Sequence, residues 1–274
     1  MITERFAPSP TGLLHLGHAY SALLAYRSAR LAGGRFFLRI EDIDFNRSKS
    51  FFETQIYDDL KWLGIDWDGP VLRQSERQNA YDSAIQKLWQ DNYLYACACT
   101  RKDIAITAAP QEGGAPLVGP DGIIYPGTCR NKIRSSHIPD LALRLDTYHI
   151  ENKIFSFESI EGAIISFSKK DMIKNIGDVV LARKDIGISY HLAVVLDDAA
   201  QGVTHVTRGE DLFEATKIHV VLQNILGLPT PIYHHHKLIR DETGKRLAKR
   251  DDARSIKSYR ESGLTVDQVL KLMK

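Results

Sequence analysis

Between Arg5 and an apolar helix, the run RFAPSPTGLLHLGHAYSALLAY carries more polar chemistry than a strand-to-helix turn requires. Pro8 and Pro10 fix the backbone, while Gly12 and Gly17 let it approach a ligand with no Cβ in the way. His15 and His18 are three apart, so they lie near one face of a helix's first turn. Two imidazoles, helix N-terminal N–H groups and a helix dipole suit the polyphosphate of a nucleotide. Taken alone, an H-x-x-H pair also reads as two surface histidines at a helix cap.

Other residues invite similar scrutiny. Arg5 and Arg208 carry guanidiniums, which hold carboxylates through two parallel charge-assisted hydrogen bonds. Each is equally compatible with an ordinary surface ion pair. The run GKRLAKRD holds Lys249 in a basic loop, and such runs are commonly solvated. Cys97 and Cys99 are separated by one residue, with Tyr125 and Cys129 further on. Two nearby cysteines in a strand are more often core than metal ligands. His234, His235 and His236 sit in a strand-like run, and packing with contacts on the nucleotide side is expected of them in preference to a metal.

The elements that must position these residues follow from periodicity. Residues 2–7 are β-compatible, Leu16, Tyr20, Leu23, Leu24 and Leu31 recur at helical spacing up to Gly33-Gly34, and RFFLRIEDID reads as a buried strand ending in acids. Strand, loop, helix and strand make a βαβ unit and a parallel sheet. Helices are expected near 48–63 and 76–91, a strand at YLYACACT, and a mobile Ala/Pro/Gly-rich loop over 105–128. Strand-like runs return at 141–146 and 178–183. SYHLAVVLDD and DLFEATKIHVVLQNILG read as helices flanking a strand in VTHVTRG. This second passage resembles the other half of an interrupted nucleotide-binding sheet, whose ligands sit beyond the carboxyl ends of the strands.

With 274 residues, 43% hydrophobic and 26% charged, the composition is that of an ordinary globular chain. The net charge of +2 does not announce nucleic acid, so any RNA surface must come from clustering of the 36 lysines and arginines. Arg101, Lys102, Arg130, Lys132 and Arg134 are such a cluster, able to hold phosphates without reading sequence and equally able to serve solubility. No apolar run reaches the roughly 18 residues needed to span a bilayer, and the N-terminus lacks signal-peptide form. Three cysteines do not make a disulfide framework. A cytoplasmic, monomeric, enzyme-sized protein with no membrane partner is expected.

PSPTGLLHLGH resembles the HIGH signature of class I aminoacyl-tRNA synthetases, and RFAPSPTG is the form found in their glutamyl branch. Further matches follow in family order: RIEDID with Glu41, SYHLAVVLDD with Tyr190, TRGEDL with Arg208, and GKRLAKRD in the place of the KMSKS loop. The segment CAC…YPGTC is similar to the branch's zinc knuckle. The resemblance runs from residue 5 to about 251.

It implies an α/β fold: a Rossmann-like class I synthetase core with a parallel sheet, interrupted by an inserted acceptor-type α+β subdomain. The expected divisions are 1–94 and 190–236 for the two halves of the catalytic domain, 95–189 for the insertion, and 237–274 for the KMSKS-like loop and a short helical end. It also implies a glutamate pocket of Arg5, Ala7, Ser9, Glu41, Tyr190 and Arg208, with Arg5 on the side-chain carboxylate. His15, Gly17, His18 and Lys249 would bind ATP, accompanied by Mg2+, with His15, His18 and Lys249 catalytic. Cys97, Cys99, Tyr125 and Cys129 would hold one Zn2+, free buried thiols being the alternative. Ala248 stands where the family usually has serine, which removes one phosphate hydrogen bond and points to a slower enzyme.

After residue 251 too little chain remains for an anticodon-binding domain. That matches a shortened branch of the family, which activates L-glutamate without tRNA and esterifies it to queuosine in the anticodon loop of tRNA(Asp). The competing expectations are a catalytic fragment of a tRNA(Glu)-charging enzyme and a non-catalytic RNA-binding relative.

Overall fold

The structure is a computed structural model that describes residues 1–110, 114–132, 135–183, 187–239 and 254–273. Two compact units emerge. The first comprises Met1–Glu76, Ala200–Asp211 and Pro231–Lys274, and the second Arg77–Ala199 and Leu212–Thr230.

The chain begins with β1 (Thr3–Phe6), α1 (Leu16–Leu31), β2 (Arg35–Ile40), α2 (Ser50–Trp62) and β3 (Leu72–Arg73). There follow α3 (Gln78–Gln90), β4 (Leu94–Cys97), α4 (Arg101–Ala108) and a small hairpin, β5 (Val118–Gly119) with β6 (Gly122–Ile123). Next come β7 (Ala142–Leu145), the hairpin β8 (Ile154–Glu158) and β9 (Ile164–Ser168), α5 (Lys169–Asn175), β10 (Val180–Arg183), β11 (Gly187–Ile188) and α6 (Tyr190–Ala200). The last elements are β12 (His205–Gly209), α7 (Phe213–Leu226), β13 (Ile232–His236), α8 (Ile256–Glu261) and α9 (Val266–Lys271).

In the first unit β1, β2 and β3 form a parallel sheet, with Arg5 opposite Phe37 and Ile40 opposite Arg73. β12 and β13 are also parallel, with Arg208 opposite His235. β12 is tied to β1, since Thr204 N donates to Thr3 O at 2.9 Å and Thr3 N to Thr204 Oγ1 at 2.8 Å. The late strands thus return to the early ones, as expected of an interrupted α/β core. All four residues of β1 are buried, as in a parallel sheet covered on both faces.

Helix α1 turns Ala19, Ala22, Ala25 and Ala29 inward, and side chains this small let it lie close to the sheet. Its exit needs Gly34: a Cβ there would lie 2.1 Å from Ile2 O, where Arg35 N donates to that same oxygen to start β2. Ile256, Val269 and Met273, from the C-terminal helical segment, complete this core.

The second unit centres on the antiparallel sheet β11–β10–β7–β4, with β8–β9 as a separate hairpin. Two local expectations are corrected. β2 stops at Ile40, because the acids beyond it make turns: Asp42 accepts from Ser75 N and Oγ, and Asp44 from Arg47 N. The helix expected near 76–91 is present as Gln78–Gln90, after a 3-10 turn over Gln74–Arg77. The expected loop from 105 starts as helix α4, seeded by a reciprocal cap in which Asp103 N donates to Thr100 Oγ1 and Thr100 N to Asp103. No helix among the described residues is long and apolar enough to cross a membrane.

Candidate functional site

In the first unit, the loop after β1 carries the histidine pair onto α1. His15 is the N-cap, its Nδ1 accepting from Gly17 N at 3.1 Å, and His15 N donates to His18 Nδ1 at 3.2 Å. A backbone N–H can only donate, so each neutral ring keeps its proton on Nε2. The rings lie 3.7 Å apart between centroids, tilted by 35°. Both are therefore pre-set as Nε2–H donors beside the positive end of a 16-residue helix. A Cβ on Gly17 would fall 3.1 Å from His15 Cε1 and 3.2 Å from Nδ1, so the glycine leaves room for that ring.

The carboxyl end of β2 is stitched to the same loop. Glu41 N donates to Pro8 O at 3.0 Å, and Lys49 N to Pro10 O at 3.0 Å. Ala7, Ser9 and Glu41 are thereby gathered beyond the ends of β1 and β2. Arg5 and Arg208 are 5% and 6% exposed. Arg5 Nη1 reaches Thr207 O, the residue before Arg208, at 3.5 Å. The Arg208 guanidinium stands 5.1 Å from the Tyr233 ring centroid, within cation–π range.

Sequence reasoning missed two supports. Arg39, fully buried, donates from Nη2 to Glu41 Oε1 at 3.3 Å and from Nη1 to Gln201 Oε1 at 3.0 Å. Glu4, also fully buried, accepts from Thr207 Oγ1 at 2.8 Å and Thr207 N at 3.2 Å, and burial raises its pKa. Three buried guanidiniums against Glu41 and a carboxyl that burial inclines toward neutrality suit an anionic ligand.

His236 Nδ1 faces Lys237 O at 2.9 Å and must donate, so its Nε2 accepts from Ser21 Oγ at 2.5 Å. Burial lowers its pKa. The strand pairing and these hydrogen bonds give this histidine a packing role beside α1. Lys249 and Ala248 lie outside the described residues, as does Arg134. Tyr190 belongs to the second unit, at the first residue of α6. There its ring lies 5.6 Å from that of His219, which is 3.1 Å from His191 Nδ1 through its Nε2.

The second unit also gathers all three cysteines. Tyr125 Oη is 3.3 Å from Cys97 Sγ and 3.3 Å from Cys99 Sγ, Cys99 and Cys129 sulfurs are 3.6 Å apart, and the three sulfurs lie within 4.8 Å of one another. Zinc bound tetrahedrally by thiolates would set its sulfurs about 3.8 Å apart, and the Cys99–Cys129 separation of 3.6 Å is close to one such edge. Burial works against charge on Cys129, but hydrogen bonds from Tyr125, Ala98 N, Cys99 and Lys132 hold its thiol down to about 6. Burial pushes Cys99 and Tyr125 up.

Behind the cluster stands Asp178, which sequence reasoning also missed. It accepts from Thr147 Oγ1 at 2.6 Å, Arg130 Nε at 3.0 Å and the Tyr95 hydroxyl, while its carbonyl takes Arg144 Nη1 at 2.8 Å. Arg144 in turn lies 3.9 Å over the Tyr125 ring. No sequence motif marks Asp178, since its partners come from distant segments.

Residues 1–273 match the family model of the catalytic domain of class I tRNA synthetases of the E and Q type. The chain is 57% identical, over all of its length and 99% of the relative's, to the glutamyl-Q tRNA(Asp) synthetase of Rhodobacter capsulatus. It is 40% identical to the protein of that name from Nocardia farcinica, covering 98% of this chain and 82% of the relative. Among solved structures it is similar to a glutamate tRNA ligase from Elizabethkingia meningosepticum in complex with its amino acid, with a TM-score of 0.74 and 30% identity. That match covers 91% of this chain but 52% of the ligase, so the chain spans about half that protein's length. The protein belongs to the class I tRNA synthetases of glutamyl and glutaminyl type, a family of ligases.

Proposed function

We propose that this protein activates L-glutamate with ATP, without needing tRNA, and transfers the glutamyl group to queuosine in the anticodon loop of tRNA(Asp). The observation that carries the reading is the gathering of buried Arg5, Arg208 and Glu41 with the paired histidine donors in one unit, in a chain 57% identical to a glutamyl-Q tRNA(Asp) synthetase.

In this reading Arg5 takes the side-chain carboxylate and Arg208 the α-carboxylate. Glu41, oriented by Arg39, accepts from the ammonium. Ser9 and the Ala7 backbone complete the cage, with Tyr190 as a wall. The α-carboxylate is already a nucleophile, so adenylate formation needs no general base. Its oxygen bonds to the α-phosphorus of ATP, and the bond to pyrophosphate breaks. His15 and His18 donate to the phosphates from the end of α1, Gly17 lets them approach, and Lys249 opposes them, with Mg2+ accompanying ATP. A queuosine hydroxyl then attacks the acyl carbon and AMP departs. Cys97, Cys99, Tyr125 and Cys129 would hold one Zn2+, which would cross-link the strand β4 to the loop before β7.

The test pairs two assays. Glutamate-dependent ATP–pyrophosphate exchange is expected in the absence of tRNA, and transfer is expected to tRNA(Asp) with queuosine but not to tRNA(Asp) lacking it. Exchange that requires tRNA(Glu), with charging of that tRNA, would overturn the reading.

A further inference from the structure

The second unit holds a cavity of about 420 Å3, lined in part by Cys129, Tyr95 and Arg130, to which the roles above assign no occupant. That volume lies in the range of roughly 300–1,000 Å3 typical of ligand pockets. Its lining combines the apolar Trp89, Leu94 and Leu141 with the polar Lys132, Asp146 and His149. A second hollow of about 280 Å3 shares Arg130, Asp146 and His149 with it as lining and adds Tyr148. At the rim the half-exposed Tyr148 ring lies 4.0 Å under the guanidinium of Arg130, which Asp178 holds in place. Asp146 spends one oxygen on Tyr148 N at 3.0 Å and faces Arg130 Nε at 3.6 Å. Its other oxygen takes no hydrogen bond among the described residues.

Apolar lining, a carboxylate oxygen with accepting capacity, an aromatic on a fixed guanidinium and a lysine are the parts with which proteins hold an unstacked nucleotide. The base lies on the apolar or aromatic surface, its amino edge meets the carboxylate, and the cations meet phosphate. We propose that this cavity takes one unstacked nucleotide of the RNA on which the protein acts. The inference rests on the reading of the chain as an RNA-modifying enzyme. It assigns the grip on that RNA partly to a pocket beside the cysteine cluster, with the base amino edge on Asp146 and the phosphate toward Lys132.

The experiment measures equilibrium binding of queuosine-bearing tRNA(Asp) to the full chain and to two variants. Leu141→Trp fills the cavity from a position 41% exposed, and His149→Ala removes one of its polar side chains. Melting curves and tRNA-free exchange establish that each variant is folded. If Leu141→Trp fails to fold, Ser135→Trp, at the exposed rim, replaces it. About tenfold weaker tRNA binding is expected for the filled cavity, the loss of one stacked base. Unchanged tRNA affinity in the variants overturns the inference. So does calorimetric binding of guanosine 5′-monophosphate that the filled cavity abolishes while tRNA binding stands, since the occupant is then a free nucleotide. If the variants lose tRNA affinity but the wild-type chain transfers no glutamate, the pocket stands and the proposed function falls. If transfer occurs and the variants bind as the wild type does, the reverse holds.

Discussion

Arg39 and Glu41 form a buried ion pair, Nη2 to Oε1 at 3.3 Å, two residues apart at the carboxyl end of β2. The guanidinium also holds Gln201 and is fully enclosed. A buried pair is not in itself a source of stability, but removing one partner strands the other charge at a cost of about 3–5 kcal/mol. Glu41 is therefore held at one place and one orientation by a residue that touches no substrate in the proposed reaction.

Arg39→Met is expected to raise KM for glutamate at least tenfold in the exchange assay, with a smaller change in KM for ATP. Arg39→Lys, which keeps the charge but not the fork, is expected to recover part of the loss. Equal changes in both KM values would show that Arg39 serves only the fold.

Gly17→Ala tests the histidine pair. The added methyl would press on the His15 ring at 3.1–3.2 Å and force it away from Gly17 N. Alanine is the better helix former, so thermal stability is expected to hold within a few degrees. Turnover in exchange is expected to fall about tenfold or more, measured against melting curves of the same preparations.

Asp59 sets a pH dependence of stability. Its carboxyl is fully enclosed, and burial lifts it to about 6, although Arg260 at 3.4 Å and Lys257 pull it down while Asp58 and Glu261 push it up. The ordinary value is 3.8, so between these values the folded chain binds a proton that the unfolded chain does not. The group therefore costs stability above pH 6, and that cost disappears as the pH falls below about 4. Asp59→Asn is expected to stabilise the protein at pH 8 by up to about 3 kcal/mol and to leave it unchanged near pH 4. Urea unfolding at the two pH values checks the sign.

Metal analysis of the dialysed protein is expected to find one zinc per chain, lost in Cys129→Ser. Chelation is expected to lower the melting temperature of the wild type and to leave that variant unmoved. Metal-free protein with an unchanged melting curve would remove zinc from the account.

Much of the first unit was legible because local rules and tertiary packing agree there. The Pro/Gly loop, the His15 cap, the alanine-lined helix and the apolar strands each require what their neighbours require. The interrupted sheet was legible because β12 repeats the look of a buried parallel strand. The second unit was harder to read. Helix α4 buries none of its residues, so no apolar period marked it, and its signal was only the Thr100–Asp103 cap. Arg39 and Glu4 were hidden because buried charges look like surface charges until their partners are known. Lys249, which the sequence singles out, lies outside the described residues, so its role rests on the family resemblance alone.

Selectivity between glutamate and glutamine in Arg5→Ala bears most directly on the central claim, that a buried guanidinium reads the substrate's second carboxylate. Sites of this polar kind discriminate by as much as about 10⁴-fold. In tRNA-free exchange, the ratio of kcat/KM for glutamate over glutamine is expected to collapse by at least about a hundredfold in the variant. A ratio equal to that of the wild type would contradict the account.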